Sequence, residues 1–366
     1  MNILGLMSGT SMDGIDICIA NLKIDKTNNI EYKIISSNYI PYDSETRKII
    51  HDTIFHKSYT IDFVDSYLGE LFSDVIVREI QNKDIHLIST HGQTLSHKDR
   101  EYSIQGGNPR MIYNKTNIPV VSDFRQDDIA LGGNGAPLMP ILDWFLFKNK
   151  KNNVISVNIG GISNLSVVSN NMKKNNVIGF DMGPGMCLID RYVKKKWNQK
   201  YDEDGFLANN GNININLLRF LIKDPIVNKK PPKSISTESY GDKYIDRIIN
   251  NFSNISHYDI LRTLVNFTAV SIANNIRNYI STDYLKEYEL IFSGGGVKNK
   301  VLLFDIKKEF EGIKVSRLNM SGLNIDNKEA FLMCLLGYTK IMNMPNNLTS
   351  VTGASMETVC GTLYES

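Results

Sequence analysis

Residues 2–22 read NILGLMSGTSMDGIDICIANL. A short apolar run, Ile3 to Met7, leads into a small polar bend, and the chain then alternates apolar and polar through Ile15, Ile17 and Ile19. A two-residue period marks a half-buried strand, and a glycine-rich break between two such runs marks a hairpin. Residues 154–169 repeat the plan with Val154 to Asn158, the turn Gly160-Gly161, and Leu165 to Val168. One hairpin in each half predicts two similar lobes, each presenting a glycine turn. A chance likeness between unrelated hairpins is the alternative.

Between the hairpins, residues 61–80 place Val64, Leu68, Leu71, Phe72, Val75 and Ile76 on one stripe, as a core-facing helix requires. A strand over 85–89 is expected to end in a loop, Thr90-His91-Gly92-Gln93-Thr94, where ligands of α/β sheets tend to lie. A second helical period covers 258–280 through Leu261, Leu264, Val265, Ile272 and Ile276. A buried strand over 290–293 then runs into Gly294-Gly295-Gly296, and a last helix begins near Asp326. Strands alternating with long helices predict an α/β architecture.

A chain of 366 residues exceeds what one core usually organises, so two domains are expected. The formal charge of +2 gives no electrostatic reason to expect nucleic acid or an anionic membrane as partner. Cys18, Cys187, Cys334 and Cys360 are far apart, which reads as reduced thiols, and the six histidines show no HExxH-type spacing. Residues 1–22 lack a basic leader, and Asp13 and Asp16 interrupt them, so neither a signal peptide nor a membrane helix fits. A cytoplasmic location is the expectation. The polar runs KNKKNN (148–153) and NNMKKNN (170–176) read as solvated loops.

Chemistry is expected first at Gly9-Thr10-Ser11-Met12-Asp13-Gly14, where backbone N–H groups and two hydroxyls can converge on phosphate oxygens. Asp13 could hold a magnesium ion through water. A plain hairpin turn would use the same residue types. No GxxxxGK(S/T) loop and no GxGxxG after a strand occurs, so any ATP must be held by separate glycine turns. Such turns stand at 9–14, 160–161, 183–185 and 294–296. A strand over 177–180 is expected to end at Asp181, backed by Gly183-Pro184-Gly185, which suits a fixed general base as well as a turn-starting Asp. The stretch 121–138 has no helical or strand period, and its Arg125 and Asp127 could meet a hydroxyl-rich ligand. Asp326 and Glu329 have the spacing of a helix capping box.

Taken in order, GLMSGTSMDGID (5–16), THGQT (90–94), SDFRQDDIALGGNGAPL (122–138), NIGGISNL (158–165), FDMGPG (180–185), SGGGVKN (293–299), DNKEA (326–330) and VTGAS (351–355) closely resemble the anhydro-N-acetylmuramic acid kinases. The resemblance covers essentially the whole chain. It implies an α/β, two-lobed actin-like ATPase (ribonuclease H-like) fold with ATP and sugar in the cleft between lobes. The N-terminal lobe would comprise 1–135 with about 343–366, and the C-terminal lobe 136–342.

By the same resemblance, ATP, magnesium and water convert 1,6-anhydro-N-acetylmuramic acid to N-acetylmuramic acid 6-phosphate in peptidoglycan recycling, and the protein is a homodimer. Gly9, Thr10, Ser11, Met12, Asp13, Gly14, Ile15 and Asp16 would bind the ATP phosphates. Gly160, Gly161, Gly183, Gly185, Gly294, Gly295 and Gly296 would complete the nucleotide site. Asp181 would be the catalytic base, and His91, Arg125 and Glu329 sugar contacts. The sequence departs from the family pattern at Met182 and Met186, where Thr and Asn are usual, and at Thr237, where an arginine is usual. A kinase for another anhydro sugar such as levoglucosan, or a catalytically weakened nucleotide-binding relative, is the alternative.

Overall fold

A computed structural model describes every residue except 10, 232, 281 and 366. Its strands are β1 (Asn2–Ser8), β2 (Gly14–Ile24), β3 (Ile30–Pro41), β4 (Leu87–Lys98), β5 (Tyr102–Gly106), β6 (Val120–Ser122), β7 (Asn153–Ile159), β8 (Ile162–Val168), β9 (Ile178–Pro184), β10 (Tyr288–Ser293), β11 (Lys314–Arg317), β12 (Asn319–Met320), β13 (Leu323–Asn324) and β14 (Thr362–Tyr364). The helices that position the site are α1 (Ile61–Glu79), α2 (Gln126–Ala130), α3 (Cys187–Trp197), α4 (His257–Tyr279), α5 (Lys300–Glu309) and α6 (Lys328–Ile341).

Two compact units result. The first comprises Met1–Leu146, Lys173–Val177 and Asn319–Ser366, and the second Phe147–Met172 and Ile178–Leu318. The stretches 136–146 and 319–342, expected with the second half, therefore pack with the first unit. The cause is visible in α6, which lies against β1, β2 and β4.

The sheet of the first unit runs β14-β6-β4-β1-β2-β3, with β5 also on β4. Strand β1 is antiparallel to β2 and parallel to β4, and β4 is parallel to β6. The second sheet runs β11-β10-β7-β8-β9, and its senses repeat the first: β7 is antiparallel to β8 and parallel to β10, and β10 is parallel to β11. The echo between the two hairpins is thus part of a sheet plan that both units share, in an α/β architecture.

Side chains alternate across β1 as the pleat demands. Leu4 and Leu6 join Ile17, Ile19 and Ile88 in the apolar core that α1 covers with Val64, Leu68, Phe72, Val75 and Ile76. On the other face α6 comes so near that a Cβ on Gly5 would lie 2.1 Å from the Ala330 carbonyl oxygen and 2.8 Å from Cys334 Sγ. In the second unit, Arg262 of α4 makes a bidentate pair with buried Asp305 of α5 at 2.6 and 2.7 Å. Among the described residues no helix is long and apolar enough to cross a membrane.

Gly5→Ala is expected to cost about 1–3 kcal/mol of stability, the scale of overpacking. A urea midpoint equal to that of the unchanged protein would contradict this close approach.

Candidate active site

Each expected residue is described within its own unit. The bend after β1 rests on a buried chain of hydrogen bonds. Burial raises the Tyr42 hydroxyl far above its usual titration range, so it stays a neutral donor. It lies 2.7 Å from Ser8 Oγ, which donates to Gln93 Oε1 at 2.6 Å, and Gln93 Nε2 donates to the Gly9 carbonyl at 3.1 Å. Such a linked network fixes the backbone that it ends on.

Within the bend, Met12 takes a left-handed φ of 53° and closes its N–H on the Gly9 carbonyl at 3.2 Å. Ser11 Oγ donates to Asp13 Oδ1 at 2.5 Å, and the Asp13 carbonyl accepts from the Tyr42 N–H and the Tyr39 hydroxyl, each at 2.9 Å. Thr10 lies outside the described residues. Gly14, Ile15 and Asp16 begin β2, with Asp16 opposite Met7. Asp13 and Ser11 together offer the hard oxygen donors that Mg²⁺ prefers. Glu329 borders the same bend: a Cβ on Gly9 would stand 3.8 Å from Glu329 Oε2. Helix α6 has Asn327 at its N-cap in place of Asp326, and the Asn327 side chain makes no capping bond.

The stretch Thr90–Thr94 is not a loop after a strand but the middle of β4. Gly92 sits there at φ 73°, beside the Gly106 carbonyl, so the strand carries a bend that a side chain would obstruct. His91 is buried, at 3% exposure. Its Nδ1 lies 2.9 Å from the Gly92 carbonyl, and its Nε2 accepts from Arg125 Nε at 3.0 Å. Those partners require the tautomer with the proton on Nδ1. Burial, aided by the Arg125 charge, brings the His91 pKa down to about 3. Arg125 is also held through Nη1 to the Gly135 carbonyl at 2.7 Å, and burial lowers its pKa to about 10. His91 thus orients Arg125, whose five donors exceed those these two partners use.

The stretch 121–138, expected to be irregular, contains β6 and the short helix α2. Asp127, expected to face a ligand, accepts instead from the Gly361 N–H at 2.9 Å. Buried Asp128 is the organiser that residue types did not single out. It accepts from the Gly135 N–H, Asn347 Nδ2 and Thr352 Oγ1 at 2.9, 2.9 and 2.8 Å.

In the second unit Asp181 lies inside β9, opposite Asn164, and not at a strand end, because pairing with β8 continues to Pro184. The Ile235 N–H donates to its Oδ2 at 2.8 Å. Gly183 is likewise in the strand, its carbonyl accepting from Ser163 Oγ at 3.1 Å. Gly185 has no room for a side chain, since a Cβ would lie 2.3 Å from the Gly160 carbonyl oxygen. The N–H groups of Gly185, Met186 and Cys187 donate to the carbonyls of Gly161, Gly160 and Gly161 at 2.9, 2.8 and 3.1 Å. The start of α3 therefore clamps the 160–161 turn.

Gly294, at φ 84°, brings its Cα against Asn158 and Ile159, so the 294–296 turn adjoins the 160–161 turn. A Cβ on Gly295 would meet nothing within 4 Å, so its backbone faces open space. Thr237 also borders this cluster, with its Cγ2 3.2 Å from a Cβ built on Gly161. Met182 is fully buried, so its side chain packs in the core.

The family model described as anhydro-N-acetylmuramic acid kinase matches residues 1–366. Among curated proteins, the anhydro-N-acetylmuramic acid kinase of Clostridioides difficile (strain 630) is 33% identical over 377 residues, covering 99% of this chain and 98% of that protein. The enzyme of the same name from Caldanaerobacter subterraneus subsp. tengcongensis is 34% identical over 380 residues, covering 98% and 96%. Among solved structures, a ROK family glucokinase from Streptomyces griseus in complex with glucose and AMPPNP matches at 12% identity and a TM-score of 0.42, covering 91% of this chain and 99% of that one.

His91 is expected to stay neutral from pH 5 to 8 in an NMR titration. Its folded pKa, about 3, lies below the ordinary histidine value, so its contribution to stability is whole above about pH 6.5. As the pH falls from there toward 3, that contribution declines by about 1.4 kcal/mol per unit. A His91 resonance titrating near 6.5 would show that the Arg125 contact is not formed.

Proposed function

The chain belongs to the anhydro-N-acetylmuramic acid kinase family, and from that premise we propose that it uses ATP and water to convert 1,6-anhydro-N-acetylmuramic acid to N-acetylmuramic acid 6-phosphate in peptidoglycan recycling. The observation that carries the reading is Asp181, fixed through one carboxylate oxygen by the Ile235 N–H. A carboxylate anchored by a backbone donor is held at a constant position, as a general base requires.

In this reading Asp181 takes a proton from a water that attacks the anomeric carbon. The bond from that carbon to the bridging oxygen breaks, and the released oxygen takes the γ-phosphoryl group from ATP, leaving ADP. The bend at 9–16 and the turns at 160–161 and 294–296 hold the phosphates through backbone donors, which oppose charge on the transferring group. Gly185 supports the 160–161 turn through its N–H, and Gly183 holds Ser163 next to it in the sheet. Asp13, with Ser11, would hold Mg²⁺ through water, and the ion would neutralise phosphate charge. Arg125, aligned by His91, and Glu329 would contact the sugar. The two compact units are taken as the two lobes, and the working form as a cytoplasmic homodimer.

Thr237 beside Gly161, in place of the usual arginine, favours a test of a second substrate. A coupled ADP-release assay with 1,6-anhydro-N-acetylmuramic acid and, separately, levoglucosan is expected to show turnover on the first. Turnover on levoglucosan alone would replace the reading with a different anhydro-sugar kinase, and turnover on neither would leave a nucleotide-binding relative. Asp181→Asn is expected to lower turnover by at least ~10²-fold with ATP binding largely kept, by calorimetry. Near-normal turnover in that variant removes Asp181 from the mechanism.

A further inference from the structure

Lys233 is 5% exposed, and its ammonium donates to the Val227 carbonyl at 2.7 Å, Asn275 Oδ1 at 2.8 Å and the Met182 carbonyl at 3.2 Å. Those bonds match its three protons, and every acceptor is neutral. Burying an ammonium in this way is costly, and an apolar side chain of similar length would fill the space at lower cost. Burial lowers its pKa to about 8, Lys229 adds to that effect, and the Asp181 charge opposes it.

The same short segment grips Asp181 with its backbone. The Lys233 carbonyl accepts the Asp181 N–H at 3.3 Å, and two residues later the Ile235 N–H reaches Asp181 Oδ2 at 2.8 Å. On the other side of Asp181, the Met182 carbonyl accepts from both the Lys233 ammonium and Asn275 Nδ2, the latter at 3.0 Å. The Asp181 N–H, the Met182 carbonyl one residue on, and one carboxylate oxygen of Asp181 are thus all tied to one buried cation and its immediate neighbours. Asn275 belongs to α4, so the cation also ties this assembly to the longest helix of the unit.

We infer that Lys233 is a positioning residue, whose buried ammonium locks residues 233–235 against β9 and α4 so that Asp181 is presented in one fixed orientation. The inference rests on the proposed role of Asp181 as base. A base displaced by 1 Å can lose on the order of 10²-fold in rate, so a lock of this kind would act on kcat before binding.

The test is Lys233→Met beside Lys233→Arg, read by steady-state kinetics and by crystallography. Lys233→Met is expected to lower kcat about 10- to 100-fold while KM for ATP and for the sugar moves by less than about threefold, and Lys233→Arg to recover part of the loss. The crystal structure of Lys233→Met is expected to lack the bond from the Ile235 N–H to Asp181 Oδ2. An unchanged kcat, a KM effect without a kcat effect, or retention of that bond overturns the inference. Should Lys233→Met fail to fold, Asn275→Leu, which removes one acceptor of the ammonium and one donor to Met182, gives the same two readouts. If the unchanged protein turns over no anhydro sugar, the functional reading fails, and the crystallographic comparison still decides the positioning.

Discussion

Each sheet is organised around a strand paired in opposite senses on its two sides. Strand β1 has an antiparallel neighbour in β2 and a parallel one in β4, and β7 stands in the same relation to β8 and β10. The antiparallel partner forces an immediate reversal of the chain at the carboxyl end of the central strand. The parallel partner reaches that same edge running in the same direction. Turn and parallel strand therefore meet by construction: Gly9 meets Gln93, where the pairing of β4 with β1 finishes and β4 runs on against β5, and Gly160-Gly161 meets Gly294-Gly296 just beyond β10. Had both neighbours been antiparallel, the two groups would lie at opposite edges.

What is built on those edges is rigid backbone, held by partners that carry little formal charge. Ser8, Tyr42 and Gln93 fix the first bend, and the opening residues of α3 fix the second. Neutral buried networks of this kind hold the shape of the backbone without adding charge of their own. Among the charged side chains, Arg125, Asp128 and Lys233 are each bound to oriented dipoles.

The sequence made the elements legible where periodicity is strong. The hairpins, α1 and α4 all follow from residue spacing, because their buried faces are set by their own side chains. It was less informative where pairing with a distant strand decides. Nothing local says that β4 runs on through Thr90–Thr94, or that β9 continues past Asp181, since β5 and β8 supply the partners. Bracing residues were hidden for a related reason. Gln93, Asp128 and Lys233 act through contacts 84, 219 and 42 residues away in the chain, and the sequence around a polar residue gives no hint of which distant group it will reach. Gly185 was visible as a turn former, yet its need for glycine comes from the Gly160 carbonyl opposite it.

The close seam between α6 and the first sheet has a practical corollary. Cys334 lies in it, with Sγ 3.5 Å from the Ile3 carbonyl and 3.4 Å from that of Cys18, while Cys187 opens α3 in the second unit, and all are free thiols shut away from solvent. A thiol reagent can reach them only when the surrounding structure parts. The protein thus carries native reporters for each half, and the pace of alkylation at Cys334 and at Cys187 compares how often helix and sheet separate in one unit and in the other.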